Sequence, residues 1–335
     1  MNTKESSTGG VFSALTPDAI LNLAEKELGI YLSNLCRPLN SYINRVYELE
    51  DEDGNGIIIK FFRPGRWSKE ALLEEHQFLH QLAKDEIPVI TPLPLQKGGT
   101  LGCYENIFFT LFPKKGGRYV DELNDGQWIE LGRLLGRTHV VGAAGSFAHR
   151  PTIRPDQSTQ AHLRYILESG LLTEELAADY EAVVQRFIRE ASPLFEDTDM
   201  IRIHGDCHSG NLIYRPGESF YLIDLDDIAT GPPVQDFWML LPGTLDSAFV
   251  EIDLFLEGYE TFRSFDNRSL ALMEPLRAMR FVHYTAWCAY QVKEDGHSVV
   301  VPDFGSAAYW QQEIADLEDQ LERMQEPVNI PGNSW

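Results

Sequence analysis

Cationic side chains are scarce in this sequence. Its 335 residues contain 28 Lys and Arg against 51 Asp and Glu, so the formal net charge at pH 7 is −23. Hydrophobic residues make up 43% of the chain, an ordinary value for a folded globular protein. A chain this acidic, with no segment dense in Lys or Arg, is poorly suited to bind a phosphate backbone. We therefore expect no nucleic-acid partner.

Paired cysteines and long hydrophobic runs are also lacking. Cys36, Cys103, Cys207 and Cys288 form no Cys-x-x-Cys pair, so nothing indicates a disulfide framework. No run approaches the roughly 18 apolar residues of a membrane span, and no apolar segment follows basic residues at the N-terminus. We expect a cytoplasmic protein that is monomeric and has no membrane partner.

Predicted strands and helices divide the chain into two parts. In residues 1–113, Thr16 opens a helix that Gly29 ends; a hairpin ("SYINRVYELE" and "GIIIKFF"), an amphipathic helix and a strand pair follow. Residues 114–335 read as helical apart from a β-rich island, Met200 to Asp224. Helices are expected at residues 125–141, 158–169, 173–190, 246–262 and 305–325 and near 267–292. This order predicts an α+β fold with a small N-terminal sheet lobe and a larger helical C-terminal lobe.

The hairpin turn "DEDGNG" resembles a calcium-binding loop at its start. Asp51, Asp53 and Asn55 match the first three ligand positions, but Phe62 stands where the loop needs a bidentate glutamate. We therefore interpret the segment as the acidic tip of a hairpin.

The β island contains the densest group of reactive side chains, "HGDCHSGN" at residues 204–211. A nucleophilic Cys207 would need an electropositive setting, but its neighbour is Asp206 in an acidic chain. A structural zinc site would need a second pair of ligands, which the sequence does not offer. The stretch also comes close to one loop of the calcineurin-like metallophosphatases, yet Ser209 interrupts the match and no second metal-binding loop follows. These three interpretations explain the stretch less well than the next one.

Phosphoryl transfer requires an aspartate at the acceptor hydroxyl and magnesium ligands close behind it. Asp206 and Asn211 in the island have the required order, and Asp224 follows the apolar run of "FYLIDLDD". Three residues of the right types therefore occur in one short segment.

The same chemistry requires a lysine on an N-terminal strand and a glutamate on the next helix. Lys60 lies within the apolar strand "GIIIKFF", where a charge is costly without a partner. The helix "EALLEEHQFL" offers Glu74 and Glu75, and Glu75 lies nearer its apolar face. We therefore predict Lys60 and Glu75 as the pair that orients the phosphates.

At these motifs the chain resembles the aminoglycoside phosphotransferase and choline kinase group, within the protein-kinase-like fold. The resemblance rests on "HGDCHSGN" and "LIDLDD" and extends over nearly the whole chain. More narrowly, "KFFRPGRWSKE", "LEEHQFLHQL" and "DLDDIATGPPVQDFWMLL" resemble a family of bacterial stress-response Ser/Thr protein kinases. What the resemblance implies is a two-lobed kinase that uses ATP and Mg²⁺.

The resemblance also implies roles for individual residues. They are Asp206 and Asp224 for catalysis, Ser41, Lys60 and Glu75 for ATP binding, and Asn211 and Asp224 for the metal. Asp236 would brace the catalytic loop, or else simply be a carboxylate at a helix N-terminus. Since no Gly-x-Gly-x-x-Gly loop is present, Ser41 and backbone N–H groups of the hairpin would have to hold the phosphates.

The phosphoryl acceptor stays open at this level, because one scaffold serves several acceptors. The acidic surface suits a cationic acceptor, either a basic peptide segment or an amine. The resemblance favours Ser or Thr of a protein, this chain included, and a role in surviving oxidative and envelope stress. The alternatives are a small-molecule kinase, a silent ATP-binding regulator and, more distantly, a metallophosphatase. Cys207 also raises the hypothesis of a redox switch, against the simpler interpretation of an inert small residue.

Overall fold

The computed structural model describes residues 10–245, 247–298 and 300–326, and these divide into two units. Unit 1 comprises the chain up to Ala83 together with Val89–Gly116, and unit 2 comprises Lys84–Pro88 and the chain from Gly117 onward. Residues 1–9, part of the stretch in which the sequence shows no secretory signal, and residue 246, where a helix is expected to begin, lie outside the described residues.

Unit 1 is built on one antiparallel sheet of five strands, in the order β1-β2-β3-β5-β4. Its elements are α1 (Pro17–Leu28), β1 (Leu32–Leu39), β2 (Arg45–Asp51), β3 (Gly56–Phe61), α2 (Lys69–Lys84), β4 (Gly102–Tyr104) and β5 (Ile107–Pro113). The Thr16 hydroxyl accepts a hydrogen bond from Ala19 N at 3.2 Å, and Gly29 ends α1 with φ +69°. The expected helix caps, the β2–β3 hairpin and the β4–β5 pair are confirmed.

Strand β1 is absent from the sequence-based expectation. It contains Pro38, which cannot donate to a ladder, and it lies at the edge of the sheet, where a proline is tolerated. The core of unit 1 lies between α1 and the sheet, and within it the rings of Phe61 and Phe109 pack with centroids 5.8 Å apart.

Unit 2 is mostly helical, as expected. Its elements are α3 (Asp125–Ala143), α4 (Gln160–Glu168), α5 (Glu174–Ala191), β6 (Ile201–Ile203), β7 (Leu212–Tyr214), β8 (Phe220–Leu222), β9 (Ala229–Gly231), α6 (Gln235–Trp238), α7 (Phe249–Tyr259), α8 (Met273–Asp295) and α9 (Ala307–Arg323). Helix α8 begins later than expected because Asn267–Leu272 forms a 3-10 turn, and helix α7 ends earlier, at Tyr259. The β island extends further than predicted, since β9 pairs with β6 beyond Asp224.

Helices α3 and α7 pack against each other at very short range. A Cβ on Gly132 would lie 2.0 Å from Phe255 O, and one on Gly258 would lie 2.0 Å from Ile129 O. Backbones can approach this closely only where side chains are missing. The contact places Tyr259 and the buried end of α3 beside α6, which matters for the loop described below.

The α+β fold class with a small sheet-bearing part and a larger helical part is thus confirmed. Within the described ranges, no helix is both long and apolar enough to cross a membrane.

Candidate functional site

The loop after β6 has a backbone shape that requires glycine. Gly205 adopts φ +83°, and a Cβ at this position would lie 2.2 Å from Asp227 O. Both facts exclude a side chain, because the left-handed conformation is costly for other residues and the backbone carbonyl cannot move away easily. The glycine therefore lets the segment that carries Asp206 pass directly against the chain that follows Asp224.

Asp236, in α6, holds this loop in place. Its carboxylate accepts hydrogen bonds from His204 N at 2.7 Å and from Gly205 N at 2.8 Å. His139 Nε2, from α3, lies 3.1 Å from the same carboxylate, and all these groups are buried. Gln235 adds a hydrogen bond from its amide to Gly205 O at 2.9 Å. The bracing role implied by the family resemblance is confirmed by these contacts.

His204 links the loop to the strand that ends at Asp224. Its Nε2 donates to Ile223 O at 2.9 Å, while its Nδ1 accepts from Asp206 N at 3.3 Å. The two contacts define which ring nitrogen carries the proton. A buried histidine thus ties Asp206 to the residue before Asp224, which is a structural role rather than a zinc-binding one.

The two predicted magnesium ligands lie at the open end of one hairpin. Strands β7 and β8 pair with Leu212 opposite Leu222, and Ile223 N donates to Asn211 O at 3.1 Å. Asn211 and Asp224 therefore both lie just beyond the last residue pair of the β7–β8 ladder. Asp224 adopts φ 54° and ψ 61°, a left-handed conformation that is rare outside glycine and recurs at functional sites.

The donor atoms fit a magnesium ion. Asn211 Nδ2 donates to Asp206 O at 2.9 Å, so Oδ1 is the amide atom left for a cation, and the Asp224 carboxylate is the second predicted donor. Oxygen donors of this kind are those that Mg²⁺ prefers, with nucleotide phosphates and water completing the shell. Across the described part of the chain, no three His, Cys, Asp or Glu side chains are grouped so that they could hold a metal by themselves. This arrangement differs from a structural zinc site or a dinuclear phosphatase centre.

The Asp206 side chain is mostly buried and lies close to Arg280 and His208. It is 19% exposed; Oδ1 lies 2.8 Å from Arg280 Nη1, and Oδ2 lies 3.6 Å from His208 Nε2. Burial by itself would raise the pKa of Asp206, but His208, Arg280 and His204 outweigh it and lower the pKa to about 2. The carboxylate is therefore ionised at any physiological pH, ready to accept a hydrogen bond from a hydroxyl group.

Lys60 and Glu75 are both buried in unit 1, at 8% and 1% exposure. Lys60 lies opposite Thr110 in the β3–β5 ladder, so the two side chains share one face of the sheet. Thr110 in turn contacts His76 Nε2 at 3.1 Å, which places the adjacent turn of α2 on that same face. A buried charge needs an opposite charge close by, so Glu75 stays the predicted partner of Lys60. The burial favours Glu75 over the part-exposed Glu74.

Ser41 lies in the loop between β1 and β2, just before the strand of the predicted hairpin. Arg63, which follows the end of β3, holds the end of this loop. Its N donates to Asn44 Oδ1 at 3.1 Å, and its Nε donates to Ile43 O at 3.0 Å. Arg63 is itself 3% exposed and lies over the Phe12 ring at 5.2 Å. The loop that carries Ser41 is therefore anchored by a buried arginine, which the sequence pattern did not reveal.

Three competing interpretations lose support. Cys207 is fully buried, and burial together with Asp236 and Asp206 raises its thiol pKa well above the usual value. This disfavours both the nucleophile and the redox switch, since each needs an accessible thiolate. In the hairpin, the Asp51 carboxylate accepts hydrogen bonds from Asn55 N at 2.7 Å and Asp53 N at 3.0 Å. These contacts define an acidic turn rather than a calcium site.

Sequence reasoning missed two arginines at the site. Arg280, in α8, reaches Asp206, and Arg150 Nη1 donates to Asp226 O at 2.6 Å just after Asp224. Neither belongs to a local motif, because each comes from an element far away in the sequence. For Arg280 the sequence offers one signal, which is charge balance: a buried aspartate needs a cation from another part of the chain.

Known proteins resemble this chain over most of its length. The model of the phosphotransferase enzyme family, APH, matches residues 35–276. Stress response kinase A of Escherichia coli (strain K12) is 38% identical over 324 residues, which cover 94% of this chain and 95% of that protein. Serine/threonine protein kinase RdoA of Salmonella typhimurium (strain LT2) is 36% identical over the same shares of the two chains.

Solved structures resemble the whole chain in fold. An amicoumacin kinase in complex with AMP-PNP, Ca²⁺ and its ligand has a TM-score of 0.73 at 18% identity, covering 90% of this chain and 93% of that one. A microcompartment-associated aminopropanol kinase has a TM-score of 0.70 at 18% identity, covering 92% and 98%. At these identities the likeness shows the two-lobed fold alone.

Proposed function

The chain belongs to the phosphotransferase enzyme family, and from that premise we propose that it is an ATP- and Mg²⁺-dependent Ser/Thr protein kinase of a bacterial stress response. The observation that carries the proposal is the loop that Asp236 braces. The backbone carbonyl of the ionised Asp206 accepts a hydrogen bond from the Asn211 amide, and Asn211 O accepts one from the N–H of Ile223, the residue before Asp224. The finer part, protein as acceptor and stress as context, rests on the names of relatives that are 36–38% identical over 94% of this chain.

Asp206 has the properties that the transfer step needs. The acceptor hydroxyl oxygen forms a bond to the γ-phosphorus while the bond from that phosphorus to the β,γ-bridging oxygen breaks, and ADP leaves. The ionised carboxylate accepts the hydroxyl's hydrogen bond and orients a lone pair of the oxygen toward the phosphorus. Its pKa of about 2 makes it a weak base, so it mainly orients the hydroxyl, and the proton ends on phosphate or solvent. General-base or orienting residues of this kind typically contribute about 10²–10⁴-fold.

Asn211 and Asp224 would hold the magnesium ion. When bound, magnesium neutralises charge that develops on the phosphate oxygens during transfer. The chain's own contribution is a fixed spacing of two oxygen donors, set by the β7–β8 ladder and by the amide hydrogen bond to Asp206 O. Fixed spacing suits a cation with strict octahedral geometry.

Lys60, Glu75 and Ser41 would bind the nucleotide. Lys60, buried on the sheet face that α2 covers, would hold the α- and β-phosphates, and Glu75 would keep the ammonium group oriented. Ser41 would donate its hydroxyl to a phosphate from a loop that Arg63 anchors. Residues of unit 1 would thus hold the phosphates, orient the lysine that contacts them and donate one further hydrogen bond to them.

A small-molecule kinase is the second candidate. It is favoured by the fold likeness to an amicoumacin kinase and an aminopropanol kinase, with TM-scores of 0.73 and 0.70. An acidic protein with a formal charge of −23 suits either a basic peptide or an amine as acceptor. The two candidates share every residue of the transfer site and differ only in the acceptor.

The test is a phosphorylation assay with MgATP on wild type, Asp206→Ala and the control Asp179→Ala, whose carboxylate is exposed on α5. Generic basic proteins serve as acceptors, phosphosites are read by mass spectrometry, and ADP release is followed with and without small amines and amino alcohols. We expect phospho-Ser or phospho-Thr with wild type and the control, and a loss of about 10²-fold or more with Asp206→Ala.

The alternatives give distinct results. Asp206-dependent ADP release that occurs only with a small amine or alcohol would assign the chain to the small-molecule kinases. Cleavage of a phosphomonoester in the absence of ATP would favour a phosphatase. Turnover that persists in Asp206→Ala would refute the site itself.

A further inference from the structure

Arg280 meets the predicted catalytic carboxylate from outside the catalytic loop. It lies in the middle of α8 (Met273–Asp295), and its Nη1 is 2.8 Å from Asp206 Oδ1. The Arg280 side chain is 33% exposed, so it combines a buried contact with access to solvent. The contact is an ion pair, since Oδ1 makes no hydrogen bond with good angles.

The two oxygens of Asp206 face different surroundings. Oδ1 is shut off from solvent and lies against Arg280, whereas Oδ2 lies on the side of His208, whose ring is 40% exposed. His208 Nδ1 accepts a hydrogen bond from Gly210 N at 3.0 Å, which turns the ring's Nε2 toward Oδ2. The Asp206 side chain is 19% exposed, and Oδ1 contributes none of that exposed area. An acceptor hydroxyl that arrives from solvent therefore does not reach Oδ1.

Arg280 is not needed to hold α8 in place. One turn earlier, Arg277 lies over the Trp238 ring at 5.0 Å and pairs with Glu274 at 3.3 Å. Further along the helix, Cys288 and Ala289 are fully buried. Because the helix is anchored on both sides of Arg280, the guanidinium at position 280 acts on the aspartate rather than on the packing of the helix.

We propose that Arg280 is a positioning residue, which holds Asp206 through Oδ1 so that Oδ2 alone receives the acceptor hydroxyl. The proposal rests on the proposed phosphotransferase function and deepens it. A carboxylate free to rotate would present either oxygen at a range of angles, and a misplacement of about 1 Å can lower a rate about 10²-fold. Arginine suits the task better than lysine, because its planar group fixes direction as well as charge.

The experiment compares wild type with Arg280→Gln, Arg280→Lys and Lys293→Gln. The last is a control on the same helix that removes one exposed positive charge. For Arg280→Gln we expect kcat to fall about 10²-fold while KM for ATP stays within about twofold. Arg280→Lys should recover part of that loss, and Lys293→Gln should behave as wild type.

The split between kcat and KM, measured beside the melting temperature, separates positioning from a merely structural effect. Loss of positioning lowers kcat at an unchanged melting temperature and an unchanged KM for ATP, and Arg280→Lys recovers part of the loss because its ammonium group restores a positive charge beside Oδ1. A loss of kcat caused by a loosened fold would lower the melting temperature as well.

The outcomes also separate this inference from the function on which it rests. Asp206-dependent turnover with an unchanged kcat in Arg280→Gln refutes the positioning role and leaves the phosphotransferase assignment intact. A fall in kcat that comes with a lowered melting temperature and a changed KM for ATP refutes it as well. Turnover that does not depend on Asp206 in any protein refutes both.

Discussion

Replacement of Asp236 by alanine should damage stability and activity together. The buried carboxylate accepts hydrogen bonds from two backbone N–H groups of the loop that carries Asp206, those of His204 and Gly205, and it also faces His139. In Asp236→Ala the two N–H groups lose their acceptor in a place that water does not reach. The loop that carries Asp206 then has no fixed course.

The magnitude follows from the hydrogen bonds that are lost. A hydrogen bond to a charged group contributes about 1.5–3 kcal/mol, so two of them give about 3–6 kcal/mol. Domains have about 5–15 kcal/mol of stability in total, so the free energy of unfolding of unit 2 would fall by a large fraction. Asp236→Asn keeps the shape and one acceptor oxygen but turns an NH₂ group toward the other N–H, so we expect about half that loss.

The assay is urea unfolding followed by tryptophan fluorescence, alongside kcat with MgATP and a generic basic protein. Asp179→Ala is the matched control, because its carboxylate is exposed on α5 and should change stability by less than about 1 kcal/mol. An Asp236→Ala protein within about 1 kcal/mol of wild type and with wild-type kcat would refute the bracing argument. So would a large loss of stability that the Asp236→Asn protein does not share in part.

Three further predictions concern single residues. Gly205→Ala should lose several kcal/mol of stability and nearly all activity, because the added Cβ would lie 2.2 Å from a backbone carbonyl; wild-type melting and turnover would contradict this. Asp224→Ala should lose Mg²⁺-dependent ATP binding in calorimetry, whereas Asp206→Ala should bind normally and fail to turn over; equal binding by both proteins would contradict the assigned metal ligands. Burial lowers the pKa of His162 from 6.5 to about 4, so the folded state takes up a proton less readily than the unfolded chain. The free energy of unfolding should therefore fall by about 1–3 kcal/mol between pH 6.5 and 4, and urea titrations of His162→Gln should show a smaller fall.

The elements with local signals were predictable from the sequence. Thr16 and Gly29 delimit α1 through capping preferences that act within a few residues. The turn "DEDGNG" closes the β2–β3 hairpin through its own hydrogen bonds, for instance Asn55 N to Asp51 Oδ1 at 2.7 Å. The loop residues Asp206 and Asn211 were predictable because phosphoryl transfer needs those side chains in that order, and their roles remain predictions.

The features set by tertiary contacts were not predictable. Strand β1 escaped notice because Pro38 argues against a strand, and only the position at the sheet edge makes it acceptable. Arg280 occupies an ordinary position of a long amphipathic helix, and no pattern in α8 shows that Asp206 lies across from it. The anchoring of the Ser41 loop by Arg63 has the same cause, since it depends on contacts between β3's end and a loop nearly twenty residues earlier.

The hairpin of β7 and β8 offers an insertion point that leaves Asn211 and Asp224 unchanged. Asn211 and Asp224 lie at its open end, and the far end is a turn in which Gly217 is exposed, has φ +82° and has open space around it. Strand pairing fixes the spacing at the open end whatever the length of the turn. A short peptide tag or a fluorophore attachment site inserted at Gly217 should therefore leave Asn211 and Asp224 in register, and would place a reporter within a few residues of Asn211.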